Sequence, residues 1–192
     1  MSTFRLGFVT GATPDKWART WRERERDQLE VVPMDEAVQE HDLREGALDM
    51  ALVRVPVDRD GLHLIPLYEE VQVAVMGVEN AVSLLDEVTL EDLDDEQLVL
   101  PHRSGWRPTA DQLDWPPMSE SDAVETVAAG TGIAILPMSV ARLHQRRDVT
   151  TRPVTDLEST TIGLSWLMTN EDPRVQTFIG IVRGRSERSS RG

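Results

Sequence analysis

The chain has 192 residues, 40% of them hydrophobic and 28% charged, with a formal net charge of −14. That length suffices to bury about 70% of the unfolded chain's surface, in one domain or two small lobes. The lack of cysteine excludes disulfides, thiolate catalysis and cysteine-based zinc sites, and the negative charge argues against nucleic-acid or anionic-membrane binding by this chain alone.

Phe4 to Val9 alternates and reads as a strand. Thr10, Gly11 and Ala12 form a turn, after which Thr13 is the expected N-cap and Pro14 the first helical residue. Trp17 and Trp21 lie one turn apart on the buried side of that helix, which ends in the mixed charge run Arg22 to Asp27. Leu29 to Val32 is a second strand, Ala37 to Glu45 a helix closed by Gly46, and Leu48 to Val53 a third strand that delivers Arg54 at its carboxyl end. This β-α-β-α-β order predicts a parallel sheet with helices on both faces. Leu62 to Leu67 is extended, and Val71 to Met76 is a strand placed to leave the first sheet for a second. Thr89 to Leu93 reads as a short acidic helix and Leu98 to Leu100 as a strand, followed by a loop rich in proline, tryptophan and glycine, His102 to Pro117.

The stretch SESDAVETVAAGTGIAILP, Ser119 to Pro137, organises the second half. Asp122, with Glu125 three residues on, predicts a capped helix, and Val124, Val127 and Ala128 form its apolar face. Gly130 and Gly132 release the chain into the buried strand Ile133 to Leu136, which Pro137 stops. A dinucleotide fingerprint does not fit, because Ile135 stands where a third glycine is needed and the glycines end a helix instead of opening one. Ser139 to Gln145 is a further helix. Val149 to Val154 carries the chain back, Thr161 to Met168 is a strand, and Pro173 to Val182 is a helix on the spacing Val175, Phe178, Ile179 and Val182. The last residues, 184–192, have no hydrophobic side chain and are expected to be disordered.

The phrases LREGALDMALVR, LIPLYEEVQVAVM, VTLEDLDDEQLVL and ETVAAGTGIAILPMSVARL, in this order and spacing, resemble the effector-binding domain of LysR-type transcriptional regulators. The resemblance runs from about Phe4 to Arg183. It implies a periplasmic binding protein fold of the second type: two Rossmann-like α/β lobes joined by two crossover strands, with a small ligand in the cleft between them. Residues 1–71 with 150–183 are expected to form lobe I and residues 72–149 lobe II. The sequence departs from the family pattern in two places. Nothing precedes the first strand where a regulator of this family carries a winged helix-turn-helix, so the expectation is a stand-alone effector domain or one cut from a longer regulator, without direct DNA binding. The segment ERERDQLEV lacks the family's usual aromatic-proline pair, which leaves the family's homodimer contact in question.

Arg54 is the sharpest ligand candidate, because a parallel sheet presents ligands outside the carboxyl ends of its strands; the competing role is a structural ion pair. The resemblance supports the ligand reading, since some members that sense aromatic carboxylates have a matching arginine. Thr10, Gly11 and Thr13 follow the first strand, also at a carboxyl end, where the hydroxyls can serve an anion or Thr13 simply cap the helix. His102, Arg103 and Ser104 follow the strand of the second lobe and face the same cleft, unless they form a plain solvent loop. Ser121 and Asp122 sit at the helix start, Asp122 as a cap. With two arginines in the set, a small anionic organic ligand, a carboxylate for preference, is the economical partner.

His41, His63, His102 and His144 show no metal-ligand spacing, Glu69-Glu70 and Asp94-Asp95-Glu96 read as solvated carboxylates, and no GxSxG or serine triad occurs. No catalytic residue, metal or cofactor is implied. The sequence lacks a signal peptide and an apolar run of the about 20 residues a bilayer needs, so a cytoplasmic protein with no membrane partner is expected. A solute-binding protein of the same fold is the first alternative, and an enzyme on this fold the second.

Overall fold

The computed structural model describes residues 3–184, so the tail expected to be disordered lies, beyond Gly184, outside the described residues. The chain divides into two compact units: one runs up to Tyr68 and resumes at Thr161, and the other is Glu69–Thr160.

The first unit is built on a sheet in the order β2-β1-β3-β8-β4. Its strands are β1 (Phe4–Val9), β2 (Leu29–Met34), β3 (Met50–Arg54), β4 (Leu62–Glu70) and β8 (Thr160–Leu167). β1 is parallel to both β2 and β3, as the alternation of strands and helices predicts, while β8 returns antiparallel to β3. Every residue of β3 is buried, which is the signature of a central strand covered on both faces. Helices α1 (Asp15–Arg24) and α5 (Pro173–Val182) pack beside one another. Phe4, Trp21 and Phe178 form an aromatic core there, Phe4 and Trp21 stacked at 5.0 Å with an interplanar angle of 11°.

Two helix starts differ from expectation. Thr13 does not cap α1: Pro14 already has helical dihedrals, its carbonyl accepts from the amides of Trp17 and Ala18, and no side chain caps the turn. The expected helix Ala37 to Glu45 is a 3-10 turn, Glu36–Val38, capped by Asp35, followed by the four-residue α2 (His41–Arg44). Gln39 breaks the run because its side chain is drawn inward to the end of β3.

The second unit carries a three-stranded antiparallel sheet, β6-β5-β7, from β5 (Gln72–Gly77), β6 (Ile133–Pro137) and β7 (Val149–Pro153). β7, expected with lobe I, thus belongs here, because its backbone completes the free edge of β5. Side chains alternate across the sheet. Val73, Val75, Ala134 and Leu136 join a core with α3 (Glu120–Ala128) and α4 (Met138–Leu143), while Ala74, Met76, Ile133 and Ile135 join a second with Val88, Leu93 and Leu98. Leu98 to Leu100 is not a laddered strand; it makes one bridge, Leu98 to Ile133, before Pro101 turns it away. Thr89 to Leu93 yields only the 3-10 turn Glu91–Leu93, since the Asp92 carboxylate holds the Thr89 amide and hydroxyl. The cap of α3 also sits earlier than expected. Ser119 and Asp122 form the reciprocal capping box, with Asp122 in the role given to Glu125.

Candidate functional site

In the first unit the turn after β1 depends on Gly11, whose φ of 85° is a conformation that other residues adopt only under strain. The Ala12 amide closes the turn on the Val9 carbonyl at 3.0 Å. Thr10 is half-buried and Thr13 exposed, so both hydroxyls stand near the surface. Arg54 behaves differently. Its side chain is 1% exposed; Nη1 meets Glu36 Oε2 at 2.5 Å and Nη2 donates to the Thr10 carbonyl at 3.0 Å. Its backbone is met by the buried amide of Gln39, which donates to the Arg54 carbonyl and accepts from the Arg54 amide, both at 2.8 Å. Gln39 therefore stands in for a neighbouring strand where the β1–β3 pairing, which runs to Phe8 and Leu52, has ended. The guanidinium that sequence position marked as a ligand anchor is thus engaged by the chain itself, and it ties the Thr10 turn to β3.

In the second unit His102, Arg103 and Ser104 occupy one tight turn, closed by the Gly105 amide on the His102 carbonyl at 2.9 Å. The His102 ring is half-buried and in contact on both nitrogens: Nδ1 lies 2.8 Å from Ser104 Oγ and Nε2 lies 3.4 Å from Gln72 Oε1. The Gln72 amide nitrogen, in turn, donates to Thr160 Oγ1 at 3.3 Å. Because the Ser104 amide also points at Nδ1, that nitrogen acts as an acceptor and the proton is assigned to Nε2. Burial lowers the His102 pKa, which favours this neutral form. Arg103 is exposed on the same turn, yet desolvation lowers its pKa as well. Ser121 is exposed in the first turn of α3, and Asp122 is engaged in the capping box.

The expected residues thus form two sets, one in each unit. Sequence reasoning missed Glu36, Gln39, Gln72 and Thr160. These are polar partners distant in sequence, and no local spacing announces them. Among the described residues no cluster of three histidine, aspartate or glutamate side chains could hold a metal, and no helix is long and apolar enough to cross a membrane.

The model of the LysR substrate binding domain matches residues 4–187. The chain belongs to that family. It is an effector-binding domain of the LysR-type regulators, a family that binds ligands and is not enzymatic. The HTH-type transcriptional regulator AlsR of Bacillus subtilis is 23% identical over 92% of this chain and 64% of its own length. A probable hydrogen peroxide-inducible genes activator of Mycobacterium leprae is 31% identical over 55% of this chain and 38% of its own. The chain therefore spans less than two thirds of the curated relatives it matches. Among solved structures, the BenM effector-binding domain with its effector benzoate superposes with a TM-score of 0.78, at 21% identity over 96% of this chain and 95% of that one. The OxyR regulatory domain of Pseudomonas aeruginosa gives a TM-score of 0.73, at 19% identity over 97% and 99%. At these identities the likeness establishes a shared α/β fold with two sheets.

Proposed function

We propose that this effector-binding domain senses a small carboxylate, with Arg103 supplying the charge that recognises it. The observation that carries this reading is the state of the His102–Ser104 turn. Arg103 is exposed on that turn, whose His102 and Ser104 side chains are already fixed by hydrogen bonds, so little ordering of the turn is left for binding to impose. Ser104, Ser121, Thr10, Thr13 and the Gly11 backbone are the further hydrogen-bonding groups of the proposed sets. Arg54 acts as a positioning residue that holds the Thr10 carbonyl. The fold shared with a benzoate-binding domain makes an aromatic carboxylate the first probe.

The test is calorimetric titration with benzoate and short aliphatic carboxylates. A charge-assisted hydrogen bond contributes roughly 1.5–3 kcal/mol, so Arg103→Met should weaken the best carboxylate about 10- to 100-fold. Equal affinity of wild type and variant would remove Arg103 from the site. We also infer a cytoplasmic homodimer. Support comes from the family resemblance and from β2, an outer strand of the first sheet. Light scattering across micromolar concentrations should give twice the chain mass, and a monomer mass throughout would refute it.

A further inference from the structure

We propose that the second unit carries a further site, fitted to an apolar α-amino acid such as leucine. A cavity of about 160 Å³ lies against residues 98–101 and 107–115. Its floor is apolar: Leu98 and Val99 are buried, and Pro101 and Pro108 complete the walls. Two exposed lining residues, Arg107 and Asp114, bring opposite charges. Neither is ion-paired or hydrogen-bonded, to the other or to any other described residue. The third polar group is the Trp115 indole nitrogen, which is buried and meets no acceptor. A buried donor without a partner is uncommon and calls for an explanation.

An acid and a base that flank one small cavity without neutralising each other fit a ligand that bears both signs. The ligand carboxylate pairs with Arg107 and, after a small turn of the ring, accepts from Trp115. The ammonium group pairs with Asp114, and the side chain rests on the apolar floor. Gln112 also lines the cavity, but its amide is already engaged by the Leu98 amide and by the carbonyls of Glu96 and Ala110. Size agrees with this assignment. An apolar cavity of about 150 Å³ holds benzene, so a branched four-carbon side chain fits with its charged head at the exposed rim. The walls are preformed as well: Gln97 bonds the Asp111 carbonyl and the Leu113 amide, and Asp94 holds the Thr109 amide.

The experiment is calorimetric titration of the chain with leucine, 4-methylpentanoate and 3-methylbutylamine, which share the apolar body and differ in charge. Leucine should bind, and each singly charged analogue should bind at least about tenfold more weakly. Arg107→Met and Asp114→Asn should each cost leucine about tenfold, and Trp115→Phe, which keeps an aromatic side chain but replaces the indole and its N–H with a smaller phenyl ring, a smaller factor of roughly threefold. Arg103→Met should leave leucine binding intact, which separates this site from the proposed effector set; benzoate titrated into the same samples reads that set independently. The proposal is overturned by no heat from leucine at roughly 10 mM. It is equally overturned if 4-methylpentanoate binds as well as leucine, or if leucine binding survives both charge variants.

Discussion

At the scale of single residues, Arg54 shows what position in a strand can and cannot tell. Its place at the carboxyl end of a buried strand was legible, because an apolar run ending in arginine is a local pattern. Its partner was not, because Glu36 lies on a separate turn and Gln39 reaches it through a side chain that no periodicity marks. Arg54→Met removes the buried charge that meets Glu36 and the donor that meets the Thr10 carbonyl. Removing one partner of a buried pair costs about 3–5 kcal/mol, and the lower end applies because Glu36 keeps 26% of its side-chain exposure. Urea unfolding should therefore show a loss of roughly 3 kcal/mol; unchanged stability would show that the pair does not support the fold. His102 gives a pH prediction. Its folded pKa is lowered by burial, so the folded state resists the proton that the unfolded state takes up near pH 6.5. Its contribution is complete above that value and is lost as pH falls through the lower folded pKa. The melting temperature should fall through that window in the wild type and fall less in His102→Gln. The paired aspartates Asp148 and Asp172 also have lowered pKa values and act in the same direction, but below about pH 4. Identical pH profiles for wild type and His102→Gln would remove His102 from the account.

At the scale of elements, strands were read more securely than short helices, for a physical reason. A strand buried on both faces needs a continuous apolar run, as Ile133 to Leu136 shows, whereas a one-turn helix is decided by a few capping bonds. The sequence from Ser119 to Glu125 contains two overlapping capping patterns, and the competition is settled by the serine hydroxyl, which accepts from the Asp122 amide at 3.1 Å. Ser119→Ala should cost about 1 kcal/mol, with Glu125→Ala close to neutral, and chemical denaturation distinguishes the two. Gly132 is a stricter requirement. Its φ is +76°, and an added Cβ would meet the Gln97 carbonyl oxygen at 2.2 Å. The obstacle is a backbone carbonyl that cannot swing aside like a flexible side chain, and the Ile133 amide bonds the same carbonyl at 2.7 Å. Gly132→Ala should destabilise the second unit by more than 1 kcal/mol, through left-handed strain and displacement of Gln97 together; Gly130→Ala, with open space around its Cβ, carries the strain alone.

At the scale of the whole molecule, the two units differ in how far their order could be read. The first three strands follow the parallel β-α-β rule, so their parallel direction was legible from order alone, while the β2-β1-β3 pairing was not. Nor was the placement of β7, since an isolated five-residue strand is assigned by which edge it completes, and that is a long-range property. Charge is the whole-molecule property that yields the last prediction. The chain carries 34 acidic and 20 basic residues, and its densest arginines, Arg19, Arg22, Arg24 and Arg26, are interleaved with Glu23 and Glu25. No single-sign basic face arises from such a run. DNA affinity grows from phosphate neutralisation with release of counterions, so a surface of net −14 gains little and is repelled at a distance. Lowering the salt strengthens that long-range repulsion instead of rescuing binding. Gel mobility shifts of this chain with DNA from its own gene's upstream region should show no specific complex at physiological salt and none on dilution of the salt. A sequence-specific shift at nanomolar protein would mean that a local basic surface outweighs the net charge.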